Sequence, residues 1–220
     1  VVDALCKKGL IYFFDEEVFR IDSRQKDNSL KEIVLSEEQQ SACDSLYNEY
    51  DSPFASVSLL YGVTGSGKTS VFIKLIERVI DDGKGIIVMV PEISLTPQFV
   101  SQFAKRFGDK IAVFHSALSL GERLDEYKRV KKGAAQIVIG TRSAVFAPFD
   151  KVGLIIMDEE QEYSYKSESS PRYHAREIAK FRCSYNNALL VLSSATPSVE
   201  TYYYAQTGRY SLNTLTARYG

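Results

Sequence analysis

Only three cysteines occur in this 220-residue sequence, at 6, 43 and 183, widely spaced and without a C-x-x-C pair. That excludes a disulfide framework and a cysteine zinc site, and it leaves Cys6, Cys43 and Cys183 as reduced, buried thiols of a cytosolic protein. Long hydrophobic runs are missing too. No stretch approaches the ~20 apolar residues of a membrane span, and no secretory signal opens the chain. Neither sign of charge dominates: 27 Lys and Arg stand against 28 Asp and Glu, for a formal net charge of −1. The chain as a whole is therefore no basic sleeve for nucleic acid, and any DNA contact must come from a local patch or from sequence elsewhere. Internal repeats and low-complexity tracts are absent. What remains is ordinary for a globular protein, 45% hydrophobic and 25% charged, at a length that suits one large domain and an appendage. The chain opens without a methionine and ends at Arg218-Tyr-Gly220, which reads as a piece of something larger.

Against that background one stretch stands out, Ser58-Leu-Leu-Tyr-Gly-Val-Thr-Gly-Ser-Gly-Lys-Thr-Ser70. Residues 62–69 match Gly-x-x-x-x-Gly-Lys-Thr, the phosphate-loop pattern. An apolar run from Val57 to Tyr61 precedes it as a strand, and Val71, Phe72, Leu75, Ile76, Val79 and Ile80 follow at helical spacing. Gly62, Gly65 and Gly67 let consecutive backbone N–H groups turn inward around an anion, and the helix after them points its positive end at the same place. Ser66 lies within the loop and Ser70 directly follows it. Lys68 is placed to reach the β- and γ-phosphates and Thr69 to hold Mg²⁺. The plain alternative is a glycine-rich turn with an incidental lysine, and the full pattern in strand–loop–helix context argues against it. The sequence predicts binding of a nucleoside triphosphate.

Residues 4–22 read as a helix closed by Gly9 and two β-rich runs around an acidic turn, either the tail of a winged-helix module or a hairpin packed on the main domain. Residues 23–35 are polar and aperiodic, a linker. Ser36 opens a helix, and Gln39 admits two roles: capping partner of Ser36, or adenine reader with Gln40 as backup. Further strands are expected over 86–90, 111–114, 136–140, 153–157 and 188–193, with helices near 97–107, 119–132, 172–182 and 198–205. Six continuous apolar strands separated by helices predict a doubly wound, mainly parallel α/β domain over 36–220. The Lys/Arg cluster at 123–132, interleaved with acids, reads as a solvated helix face.

The strand Leu154-Ile-Ile-Met ends in Asp158-Glu159-Glu160, where open parallel sheets bind ligands. Asp158 is the candidate Mg²⁺ ligand beside Thr69, and Glu159 the candidate base for an attacking water. The alternative is two solvated carboxylates at a strand end.

Six segments then occur in order: Val90-Pro-Glu-Ile-Ser-Leu-Thr-Pro-Gln98, His115-Ser-Ala-Leu-Ser, Ile139-Gly-Thr-Arg-Ser-Ala-Val-Phe-Ala-Pro148, Asp158-Glu-Glu-Gln161, Pro171-Arg-Tyr-His-Ala-Arg176 and Ser193-Ser-Ala-Thr-Pro197. With the phosphate loop they resemble the primosomal protein N′ family, the PriA-type replication-restart DNA helicases of superfamily 2, over about residues 36–220. The resemblance implies a RecA-like first helicase lobe, with residues 1–22 ending a winged helix. It implies an ATP- and Mg²⁺-dependent 3′-to-5′ DNA helicase acting in fork restart and primosome assembly. Forked and single-stranded DNA, restart proteins and single-stranded-DNA-binding protein are the implied partners, and no membrane. Zinc is implied for a second lobe not in this sequence, and without that lobe a fragment is expected to be a weak ATPase. One departure is Gln161, where the family usually has His.

Thr141 and Arg142 follow a strand and suit a DNA strand phosphate, although Arg142 alone would read as a surface ion pair. Ser193 and Thr196 are candidates to relay the γ-phosphate state, or else form a helix cap with Ser198. The resemblance makes 161–176 an aromatic-rich coupling loop. Tyr163, Tyr165, Tyr173 and His174 would offer faces to bases, and Lys166, Arg172 and Arg176 charge to the backbone. The bland reading is a surface loop with packed tyrosines. The rival functions are another superfamily 2 translocase, a nucleotide kinase, and an ATP-gated binding module without turnover.

Overall fold

The structure, a computed structural model, describes residues 2–10, 12, 26, 27, 29, 30 and 32–218. Strands that are apolar along their whole length must be covered on both faces, and the fold does this with one sheet. Its strands are β1 (Ser56–Gly62), β2 (Gly85–Met89), β3 (Ile111–Phe114), β4 (Ile137–Gly140), β5 (Val152–Asp158), β6 (Leu189–Ser194) and β7 (Ser211–Leu215). They stand in the order β3-β4-β2-β5-β6-β1-β7, and every registered pair is parallel. The helices are α1 (Val2–Lys7), α2 (Glu37–Tyr50), α3 (Lys68–Ile80), α4 (Pro97–Phe107), α5 (Leu120–Lys131), α6 (Ala175–Asn186) and α7 (Val199–Gln206).

Strand residues alternate between two cores, as the period of two requires. Leu154 and Ile156 of β5 join Leu46 of α2, Phe72 and Leu75 of α3 and Phe103 of α4. Ile155 and Met157 face Val130 of α5, Ala175 and Ala179 of α6 and Ala205 of α7. The doubly wound α/β expectation is borne out, with one strand more than the six predicted. β7 escapes a sequence reading because it is a short edge strand on which only Asn213 and Leu215 are buried, so it carries no apolar run.

Gly9 closes α1 as expected, in the left-handed region at φ 68°. Its N–H donates to Cys6 O at 2.9 Å, and the Leu10 N–H to Leu5 O at 3.1 Å. Apart from residues 10 and 12, the hairpin expected beyond it falls outside the described residues, as do residues 23–25, 28 and 31 of the expected linker. Cys43 and Cys183 are buried, burial pushing their thiols up to about 11 and about 12; Cys6 is only half-buried. The face of α5 expected to be solvated is partly clamped to β3. Buried Glu126 accepts the Val113 N–H at 3.0 Å and pairs with Arg129, whose Nη1 donates to Ile111 O at 3.1 Å.

Because all strands run the same way, every loop that follows a strand emerges at one edge. β6 lies between β5 and β1, with Asp158 in register with Ser193 and Tyr61 with Ser194. The ends of these three strands form the site.

Candidate nucleotide site and nucleic-acid face

The phosphate loop turns through Gly65 and Gly67 at φ 81° and 80°, values at which a side chain is strained. Gly62 is required for a different reason: a Cβ there would lie 2.7 Å from Ser66 Oγ and 3.0 Å from Leu215 Cβ. The Ser66 N–H closes the turn on Val63 O at 3.0 Å, and the Ser70 N–H donates to Gly67 O at 2.9 Å. Lys68 is buried, with Nζ donating to Gly62 O at 2.8 Å. Ser66 Oγ is buried without a hydrogen-bond partner among the described residues. An orphaned hydroxyl inside a loop of left-handed glycines fits an anionic oxygen.

Gln39 does more than either of its two predicted roles. Its Oε1 accepts the Ser36 N–H at 3.0 Å, completing a capping box with the Gln39 N–H on Ser36 Oγ. Its Nε2 donates to Ser66 O at 2.8 Å, and the side chain is 2% exposed. Both ends of the amide are used, so in this structure Gln39 props the phosphate loop and presents nothing to a base. Gln40 is exposed and bonds Asp44 at 2.8 Å.

Asp158 accepts from Ser193 Oγ at 2.8 Å. Burial holds its carboxyl above the usual range and the charge of Glu159 adds to this, while Ser193 and Lys68 oppose them. A half-buried carboxylate at a strand end, countered by the loop lysine, suits a cation shared with Thr69, which lies in the first turn of α3. Glu159 adopts φ 46°, a strained value for glutamate. Its Oε2 accepts from Gln161 Nε2 at 3.0 Å, Gln161 Oε1 accepts from Ser194 Oγ at 2.6 Å, and Ser194 Oγ accepts the Thr196 N–H at 2.7 Å. A continuous chain of polar contacts thus joins the candidate base to exposed Thr196. Ser194 had no place in the sequence reading; its signal was its position beside Ser193. Ser198, not Ser193 or Thr196, caps α7.

The coupling loop is brought to the same edge. Arg142 is tied to it through Ser164 O at 3.2 Å and Lys166 O, and its guanidinium lies 5.9 Å from the Tyr173 ring centre. Its contacts are therefore neither to a surface acid nor left wholly open to DNA. Thr141 is buried. Tyr163, Lys166, Arg172, Tyr173 and His174 line a cavity of about 480 Å³. Tyr163 is 63% exposed and donates to Glu168 at 2.8 Å; Lys166 and Arg172 are exposed.

Two more expectations need correction. Tyr165 is fully buried and its Oη donates to Asp158 O at 2.6 Å, so its ring offers no face to a base. Arg176 is engaged by Glu160 at 3.0 Å and Glu200 at 2.9 Å, so it is not presented to a DNA backbone. His174 caps α6, its Nδ1 accepting the Arg176 N–H at 3.2 Å. Burial, helped by Arg176, lowers its pKa, which keeps that nitrogen unprotonated.

Comparison with known proteins follows the same lines. Residues 36–203 match the family model described as DEAD/DEAH box helicase. Two relatives are each named replication restart protein PriA. The one from Bacillus subtilis (strain 168) is 46% identical over 218 residues, 99% of this chain and 27% of that protein. The one from Treponema pallidum (strain Nichols) is 48% identical over 185 residues, 84% of this chain and 28% of that protein. This chain thus spans about a quarter of the length of the curated relatives it matches. Among solved structures, RecG bound to a three-way DNA junction matches with TM-score 0.61 at 22% identity, over 86% of this chain and 25% of that one. A hypothetical ATP-dependent RNA helicase from Sulfolobus tokodaii matches with TM-score 0.56 at 17% identity, over 86% and 54%. These two likenesses concern the fold.

Proposed function

The chain belongs to the DEAD/DEAH box helicase family, and from that premise we propose that it is the ATP-binding first lobe of a PriA-type, 3′-to-5′ DNA helicase acting in replication-fork restart. One observation carries the reading. The phosphate loop, the Asp158-Glu159 strand end and the Ser194–Thr196 contacts meet at one sheet edge, and the coupling loop is stitched to Asp158 through Tyr165.

In this reading the loop N–H groups and Ser66 Oγ hold the phosphates, and Lys68 leaves Gly62 O to balance their charge. Thr69 and Asp158 hold Mg²⁺, which when bound offsets charge on the phosphate oxygens. Glu159 orients the attacking water and takes its proton. Single-stranded DNA lies along the face built from Arg142 and the 163–174 loop, with Tyr163 and Tyr173 as stacking surfaces. Residues 1–22 end a winged helix and 23–35 link it to the lobe. Forked DNA, restart proteins and single-stranded-DNA-binding protein are partners of the whole protein, in the cytoplasm. Because the arginines that steady transition-state charge come from a second lobe, the isolated chain hydrolyses ATP only weakly.

The test is Glu159→Gln in the full-length protein. It keeps shape and hydrogen bonding but removes the base, so fluorescent ATP analogues still bind while turnover falls at least ~100-fold, about 3 kcal/mol of barrier. Near-normal turnover would sink the assignment. ATPase stimulation by forked against blunt duplex DNA then separates a restart helicase from other translocases.

A further inference from the structure

We propose that the pair of half-buried Arg176 with buried Glu160 is a clamp across the base of the 161–175 loop, and that it fixes Glu159 and passes loop displacement to it. The inference rests on the roles proposed above for Glu159 and the loop.

Glu160 follows the base immediately and Arg176 follows the loop immediately, so the two residues are the loop's feet. Glu160 is 1% exposed. Its carboxylate accepts from Arg176 Nη1 at 3.0 Å, the Ser198 N–H at 2.6 Å, Ser198 Oγ at 3.3 Å and Thr201 Oγ1 at 3.1 Å. Arg176 Nη1 also donates to Ser198 Oγ and Thr201 Oγ1, each at 3.1 Å. One carboxylate thereby joins the end of β5 to the starts of both α6 and α7. Its backbone is held as well, the Glu160 N–H donating to Ser193 O at 3.1 Å.

Higher up, the loop is closed again. The Ser167 N–H donates to Tyr173 O at 2.7 Å, and Lys166 bridges His174 in antiparallel fashion. Between the feet and this neck, Tyr165 bonds the Asp158 carbonyl. Glu159 is thus the strained residue between two pinned ones. A left-handed glutamate persists only where its surroundings over-determine it, and the Glu160 network is the largest constraint on its C-terminal side. A force on the neck from bound DNA reaches the feet through a short, doubly closed loop, and the feet adjoin the base. Glu160 and Arg176 are positioning residues; neither needs to touch substrate.

Removing one partner strands a buried charge, so the deciding variant is the double Glu160→Gln/Arg176→Gln in the full-length protein, alongside Arg176→Lys. Kinetics, fluorescent-nucleotide affinity, single-stranded-DNA affinity and thermal unfolding are measured together. The expected result is a folded double variant with both affinities within about twofold of wild type and kcat lowered about tenfold or more at unchanged KM. Arg176→Lys, which keeps one donor and the charge, recovers part of the rate. Wild-type kcat in the folded double variant overturns the inference, and so does a loss confined to DNA affinity, which would make Arg176 a DNA contact. Glu159→Gln in the same series separates the two claims. If it stays active, the base assignment has failed; if it is dead while the clamp variant is normal, only the clamp has failed.

Discussion

Replacing Tyr165 by phenylalanine removes one hydroxyl and leaves the buried ring in place. That hydroxyl donates to Asp158 O at 2.6 Å, and the side chain is 0% exposed. A lost internal hydrogen bond of this kind costs about 1–2 kcal/mol, the upper part applying if the carbonyl finds no substitute. In a domain of this size that lowers the melting temperature by roughly 2–8 °C. Tyr165→Leu removes the aromatic ring from the core shared with Met157 and Ala175, a loss of about 2–4 kcal/mol. A ring that stacks on a base behaves otherwise: its loss weakens single-strand binding by ~1–3 kcal/mol, roughly 5- to 150-fold. Denaturation curves and anisotropy titrations with a single-stranded oligonucleotide at two salt concentrations separate these cases. Tyr165→Leu should lose stability while its folded fraction binds DNA normally. Tyr173→Leu should mainly weaken DNA binding, with a smaller loss of stability from its contact with Phe146, since Tyr173 is half-buried and lines the open cavity. Folded Tyr165→Leu protein with wild-type stability and DNA binding weakened fivefold or more would refute the assignment of Tyr165 to the core.

Lys68→Ala should abolish most nucleotide binding in a fluorescent-analogue titration, because the loop loses its cation; retained affinity would show that Lys68 stays on Gly62 O in the bound state. Glu49 carries a different signature. Burial raises its carboxyl pKa in the folded state, outweighing Ser211, Ser56 and Ser58. The stability that its protonated form contributes is present below the unfolded carboxylate pKa and is lost as pH rises through the higher folded value. Glu49→Gln should therefore melt above wild type at neutral pH, with the difference vanishing in acid; a constant offset at all pH values would exclude titration of Glu49 as the cause.

The sheet was legible because each central strand announces itself as an unbroken apolar run, and the helices between them as amphipathic stretches. Ser36 stands where capping places it. The phosphate loop was legible for the same local reason, a fixed spacing inside one strand–loop–helix unit. What could not be read was pairing between distant segments. Nothing local distinguishes Tyr165 from Tyr163, two residues apart, yet one is fully buried and the other 63% exposed. That difference is set by which tyrosine the short turn after Glu162 aims under the sheet edge. Arg176 likewise looks like a basic loop residue until α7 brings Glu200 and Thr201 beside it. Arg129 and Glu126 look like surface charges until β3 supplies the backbone groups they bind. In each case a polar side chain was assigned to solvent or DNA because its protein partner lies far away in sequence.

Gln161 shows how such wiring constrains a substitution. Its amide works at both ends, donating to Glu159 at 3.0 Å and accepting from Ser194 at 2.6 Å. The histidine usual in the resembling family can offer the same two functions only while neutral, one ring nitrogen donating and the other accepting. Once protonated, both nitrogens donate, and a ring in this position would have no acceptor for the Ser194 hydroxyl. Its added charge would also stabilise the ionised form of the neighbouring carboxylate, against the role of base proposed for Glu159. Glutamine has neither liability, because its amide does not titrate. The contacts that run from Glu159 to Thr196 therefore keep the same polarity across the physiological pH range. In the role proposed for this site, such contacts would pass on movement of the Ser194–Thr196 segment without a change of protonation at Gln161.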